Sequence, residues 1–142
     1  MEGEGAGAAG AGAVLKGRKV CAGRARGKAL VCNKALSFLG GVDPLTGVIQ
    51  DTDQAVRGEN VADRILVFPR GRGSTVGSYV VYELKCNGLA PAGIVNIEAE
   101  TIVATGAIMS RIPMVDRVDI TKIPQGSFVE MDADVAEVRV LP

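Results

Sequence analysis

Pro69-Arg70-Gly71-Arg72-Gly73-Ser74-Thr75-Val76-Gly77-Ser78-Tyr79 joins the apolar run Ile65-Leu66-Val67-Phe68 to a helically spaced segment that stops at Asn87-Gly88. The succession reads as strand, loop and helix. Four consecutive large apolar residues suit a strand buried on both faces. Val76, Val80, Val81 and Leu84 recur at helical spacing, which predicts a helix with these residues toward the core and Asn-Gly as its stop. The loop sets Arg70, Arg72, three glycines, Ser74 and Thr75 where that helix begins, so its unpaired N–H groups and its dipole would favour an anion there. Ser74 sits where an alkoxide costs least, because guanidinium charge and free backbone donors stabilise any oxyanion. The residues alone leave a second reading open, in which Ser74 or Thr75 caps the helix. Nucleotide binding is not indicated: Gly71-Arg72-Gly73 lacks the third glycine of the dinucleotide fingerprint, and no Gly-Lys-Ser/Thr follows.

Upstream of this element, Val14 to Val20 and Lys28 to Val31 are strand-like, separated by Gly23 and Gly27, and read as a first hairpin or sheet pair. Leu36-Ser37-Phe38-Leu39-Gly40-Gly41-Val42-Asp43-Pro44 is an apolar run entering a tight loop. Gly40, Gly41 and Asp43 form a plain turn, a wall of the pocket opposite Ser74 or a subunit interface. Asp51 to Asp63 reads as a surface connection with a short helical turn. Downstream, Gly93 to Ile97 reads as a buried strand, and Ala104, Gly106 and Ala107 permit close packing, including against a partner. Ile112-Pro113-Met114-Val115-Asp116 reads as an edge strand or extended segment because proline cannot donate to an interior ladder. Period-two alternation in Phe128 to Met131 and Val135 to Val140 predicts a hairpin. The whole suggests a compact, β-rich α/β domain from Val14 to Pro142 with one substantial helix and room for one or two further helical turns. Residues 1–13 alternate Gly and Ala with two glutamates and are expected to form a disordered tail.

Composition excludes several classes. Sixteen basic and sixteen acidic residues cancel, aromatic residues are 4%, and tryptophan is absent. That offers neither the field nor the stacking platform of a nucleic-acid binder. No apolar run approaches the roughly 18 residues that span a bilayer, and no secretion signal is visible, so a cytoplasmic location is expected. Cys21, Cys32 and Cys86 are odd in number and widely spaced, which fits reduced, buried thiols rather than a disulfide framework or metal site. Histidine is absent. This removes any Ser-His-Asp triad and any His-ligated metal, so a general base must be a carboxylate, Lys, Tyr, Cys or an activated Ser.

Three stretches in matching order, Phe38 to Pro44, Phe68 to Tyr79 and Thr101-Ile102-Val103-Ala104-Thr105-Gly106-Ala107, resemble the small subunits of the archaeal phosphomevalonate dehydratase branch of the aconitase X family. The resemblance runs from about Val14 to the end. It implies a swivelling β/β/α domain made as a separate polypeptide, which closes over an iron–sulfur cluster held by a large subunit. The implied reaction removes water from (R)-5-phosphomevalonate to give trans-anhydromevalonate 5-phosphate. The family's proton acceptor, the first serine of Gly-Ser-Thr-Val-Gly-Ser, falls on Ser74. Arg72 is then the first candidate for stabilising the alkoxide or binding the substrate's carboxylate or phosphate, with Gly73 and Thr75 beside it and Arg70 second. Two alternatives stand: a cis-3-hydroxy-L-proline dehydratase of the same family, whose serine element usually resembles Gly-Ser-Cys-Thr-Gly-Ser, and a non-catalytic swivelling module in which Ser74 is only a cap.

Overall fold

A computed structural model describes residues 12–142. In chain order the elements are β1 (Val14–Lys16), β2 (Arg18–Cys21), β3 (Arg24–Val31), β4 (Ile65–Phe68), α1 (Gly77–Cys86), β5 (Gly93–Asn96), α2 (Thr101–Ser110), β6 (Met114–Asp116), β7 (Phe128–Asp132) and β8 (Glu137–Val140). Of the expected tail, residues 1–11 lie outside the described residues; the Gly12 N–H donates to the Val140 carbonyl at 2.7 Å, and Ala13 accepts from Val140 at 2.9 Å.

The eight strands form one mixed sheet in the order β1-β8-β7-β3-β4-β5-β6-β2. Strands β3 to β6 are parallel, and the others pair antiparallel. β3 serves both halves: Arg24 to Lys28 pair with β7, and Ala29 to Val31 pair with β4. The two end strands, β1 and β2, are consecutive in the chain and separated only by Gly17. A single ribbon therefore closes the sheet on itself. Gly17 is required at the crossing, because a Cβ there would run into the Asp116 carbonyl, Val115 and Val118.

Alternation along the parallel strands divides the core in two. Leu30, Leu66, Phe68, Ile94 and Met114 face the helices and pack with Val80, Val81, Leu84, Val103 and Ala107. Ala29, Ile65, Val67, Val95 and Val115 face the antiparallel half and meet Leu15, Val129, Met131, Val138 and Val140. The layers are thus antiparallel strands, parallel strands and helices, the β/β/α arrangement expected. All four residues of β4 are fully buried, as its unbroken apolar run required.

Several readings need correction. β2 and β3 form no hairpin: β2 pairs with β6, and Gly27 lies inside β3, where a Cβ would come within 2.7 Å of the Asp63 carbonyl. β6 is an interior strand between β5 and β2. Pro113 precedes its first paired residue and contributes only a carbonyl, which accepts from Ile94 at 2.9 Å, so no N–H is missed. Residues Thr101 to Ser110 form a second full helix, whose N-cap is Glu100; its carboxylate accepts from the Ile102 and Val103 amides at 2.8 and 3.2 Å. Gly106 gives close packing against α1: a Cβ there would lie 2.9 Å from Val81 Cβ. Val76 precedes α1 and is 47% exposed instead of facing the core.

Candidate functional site

Ser74 lies in the loop between β4 and α1, at the carboxyl end of the parallel strands. Phe68, the last residue of β4, meets Phe38 edge to face with ring centroids 6.2 Å apart. That contact brings the Leu36 to Gly41 segment alongside the serine loop. Backbone bonds then join the two: the Leu36 N–H donates to Arg70 and the Arg72 N–H donates to Leu36, both at 3.0 Å. On the other side Gly71 lies against α2, where a Cβ would strike Val103 and approach Glu100 Oε1 at 2.8 Å. Gly73 has φ +106°, and a Cβ on it would come within 2.6 Å of Ser37 Oγ. Glycine is therefore needed for conformation and for space.

The exposed Ser74 hydroxyl oxygen accepts from the Val76 N–H at 3.2 Å, and its carbonyl accepts from Gly77 at 2.9 Å. Thr75 accepts from the Ser78 amide at 3.3 Å and from the Ser78 hydroxyl at 3.0 Å. Ser74 thus supports the entry to α1 without being its N-cap, which is Val76 and has no side-chain cap bond. The first helical amides are consumed by this turn. Past Arg72, the amides of Gly73, Ser74 and Thr75 have no protein partner among the described residues, three successive donors of the kind that line anion-binding concavities.

The two arginines divide. Arg72 Nη2 lies 3.4 Å from Asp51 Oδ2, and its Nε donates to the Ala35 carbonyl at 3.4 Å. Arg70 pairs with Glu98 at 3.5 Å, both half or more exposed, and makes no contact with Ser74. Gly41 borders the site, since a Cβ there would overlap the Ser37 carbonyl, whereas Gly40 has φ +79° and open space around it. Asp43 sits elsewhere: its carboxylate accepts from Leu45 at 2.9 Å, and the next residue, Pro44, accepts from Asn87 Nδ2 at 2.7 Å at the far end of α1. Ten residues of helix, about 15 Å, separate that end from Ser74. Asp43 is a turn residue. Missed altogether was the Asp51 to Gln54 segment beneath Arg72, whose Gln54 is 3% exposed. Its signal was faint, a lone amide amid polar neighbours.

The cysteines do not converge. Cys32 is buried beneath the loop, and burial, with the Asp51 charge adding, pushes its thiol up to about 12. Cys21 lies part-buried on β2, and Cys86, against expectation, is exposed at the end of α1. No group of three or more His, Cys, Asp or Glu residues among the described residues could hold a metal ion. The thiols of this chain do not fit an iron–sulfur cluster. No helix among the described residues is long and apolar enough to cross a membrane.

Residues 14–140 match the family model described as aconitase X swivel domain. The chain belongs to that family. A swivel-domain relative from Thermococcus sibiricus, the phosphomevalonate dehydratase small subunit, is 65% identical over 126 residues, covering 89% of this chain and 97% of the relative. The protein of that name from Methanocella arvoryzae is 54% identical, covering 83% and 92%. The crystal structure of Thermococcus kodakaraensis aconitase X in its holo-form superposes with a TM-score of 0.91 at 58% identity, over 92% of this chain and all of that one.

Proposed function

We propose that this swivel domain is the small subunit of a two-chain hydro-lyase that dehydrates (R)-5-phosphomevalonate to trans-anhydromevalonate 5-phosphate, with Ser74 as the proton acceptor. The observation that carries the reading is the Ser74 loop: an exposed hydroxyl beside three unpartnered amides and Arg72, presented at the carboxyl end of a parallel sheet. The names of the similar proteins support the subunit role and the substrate. Ser74 takes the proton from the carbon next to the substrate carboxylate. Its alkoxide character is favoured by the Gly73 to Thr75 amides and by positive charge in a site that excludes water once closed. Arg72 meets the substrate's carboxylate or phosphate, for which a planar guanidinium is suited. Arg70 is tied to Glu98 and plays a lesser part. An iron–sulfur cluster would in this reading be held by the large subunit and would supply Lewis-acid chemistry toward the departing hydroxyl.

The test is the assembled two-subunit complex supplied in turn with (R)-5-phosphomevalonate and cis-3-hydroxy-L-proline, each with wild-type and Ser74→Ala small subunit. Turnover of the first substrate alone, lost in the variant while the melting temperature holds, supports the reading. Turnover of hydroxyproline alone, or an active Ser74→Ala complex, overturns it. The small subunit by itself is expected to be inactive.

A further inference from the structure

Arg72 is held along one edge of its guanidinium. Nε faces the Ala35 carbonyl and Nη2 faces Asp51 Oδ2. Nε and Nη2 form the side-on fork, so the end-on fork, Nη1 with the second hydrogen of Nη2, is left for another anion. Nη1 has no hydrogen-bond partner among the described residues, and the side chain is half exposed.

The holder is itself well fixed. Asp51 is 10% exposed at its side chain, its Oδ1 accepts from the Asp53 N–H at 2.9 Å, and its own N–H donates to the Gly41 carbonyl at 3.3 Å. Ala35, the second anchor, is braced by buried Gln54, whose Nε2 donates to the Lys34 and Ala35 carbonyls at 3.2 and 3.0 Å. We infer that Asp51 is a positioning residue, fixing Arg72 so that its open fork meets the anionic group of the substrate beside Ser74. The inference rests on the roles proposed above for Ser74 and Arg72. Asp51 touches neither substrate nor reacting atoms; it acts by removing rotamer freedom from a long side chain before binding, which lowers the cost of each hydrogen bond Arg72 then makes.

The experiment is steady-state kinetics of the assembled complex on (R)-5-phosphomevalonate with Asp51→Asn, Arg72→Ala and the double variant. Asp51→Asn is expected to raise KM about tenfold with kcat changed less than about threefold, the pattern of lost ground-state binding. On the Arg72→Ala background it should add nothing, because a residue acting through another is non-additive with it. An unchanged KM, or the same factor on both backgrounds, overturns the proposal. Should Asp51→Asn fail to assemble, Asp51→Glu, which keeps the charge at a different reach, replaces it under the same criterion of non-additivity. Ser74→Ala separates the two failures: if it retains turnover the functional reading falls and Asp51 with it, whereas if it is inactive while Asp51→Asn keeps its KM, only the positioning role falls.

Discussion

The outer face of the antiparallel half and the loop end of the parallel half both carry arginines, and they use them differently. On the antiparallel face the charges are spent on one another across strands. Arg24 pairs with Asp132 at 3.1 Å, Arg26 with Glu130 at 3.7 Å and Lys16 with Glu137 at 3.1 Å, and Arg26 also lies over the Phe128 ring. These are partners directly opposite in the register. At the loop end Arg72 is anchored along one edge and open along the other, beside amides without partners. The difference teaches that a zero net charge can cover one surface whose ion pairs run strand to strand and another where, in the proposed reading, a guanidinium edge is kept for an anion.

Substitutions can break that contrast, beginning with the largest effect. Ser74→Ala should lower turnover of the assembled complex by about 10²–10⁴-fold, the usual weight of a general base, and cost under about 1 kcal/mol of stability. Arg26→Ala on the opposite face should leave turnover within about twofold and stability within about 0.5 kcal/mol. Parallel kinetics and thermal melts of both variants check the pair; equal losses of activity would erase the distinction between the faces.

Next in size is Gly106→Val, which inserts bulk where α2 meets Val81 and the Ser78 carbonyl. Overpacking there should destabilise by about 1–3 kcal/mol, read from denaturant midpoints. Asp116→Ala should cost about 2 kcal/mol. Its carboxylate is fully buried, accepts from Arg18 Nε and Nη2 at 3.0 and 2.8 Å, and accepts from the Ala99 amide at 2.9 Å just ahead of the Glu100 cap. Burial alone would raise the Asp116 carboxyl, but the Arg18 and Ala99 hydrogen bonds outweigh it and hold the group below its ordinary value. A depressed folded value means that this stability is present above the unfolded carboxyl range and is lost as pH falls through the folded value. The wild type should therefore lose stability in acid more steeply than Asp116→Asn, as melts between about pH 2 and 6 would show. The smallest effect concerns thiols: Cys86 should react with an alkylating probe fastest and Cys32 slowest, since Cys32 is buried and stays protonated.

Much of the parallel half was legible because buried strands announce themselves as apolar runs. β4, β5 and the C-terminal hairpin stand close to where alternation and turn residues put them. α2 was not legible as a helix: it opens on a glutamate cap, contains Gly106 and β-branched residues, and shows little polar face, so its pattern suits a buried segment of either kind. The partner exchange at Gly17 was hidden for a different reason, since which strands a segment pairs with is a tertiary fact with no local signature. At the site, the Ser74 loop was visible through its glycines and arginines, and the approach of Gly41 could be anticipated. Asp43 misled because an aspartate before proline serves a turn as readily as a pocket. Asp51 could not be found from spacing, because it reaches Arg72 across 21 residues.

The ribbon through Gly17 sets an order of assembly. Val14 faces Arg139 and Arg18 faces Asp116, so β1 waits for β8 and β2 for β6 before the sheet is complete. A ribosome would release β8 long after β1 has emerged, and until then the seam is open. Folding that must join strands so far apart in the chain is slow for its size; the final closure would be postponed until β8 is free to pair.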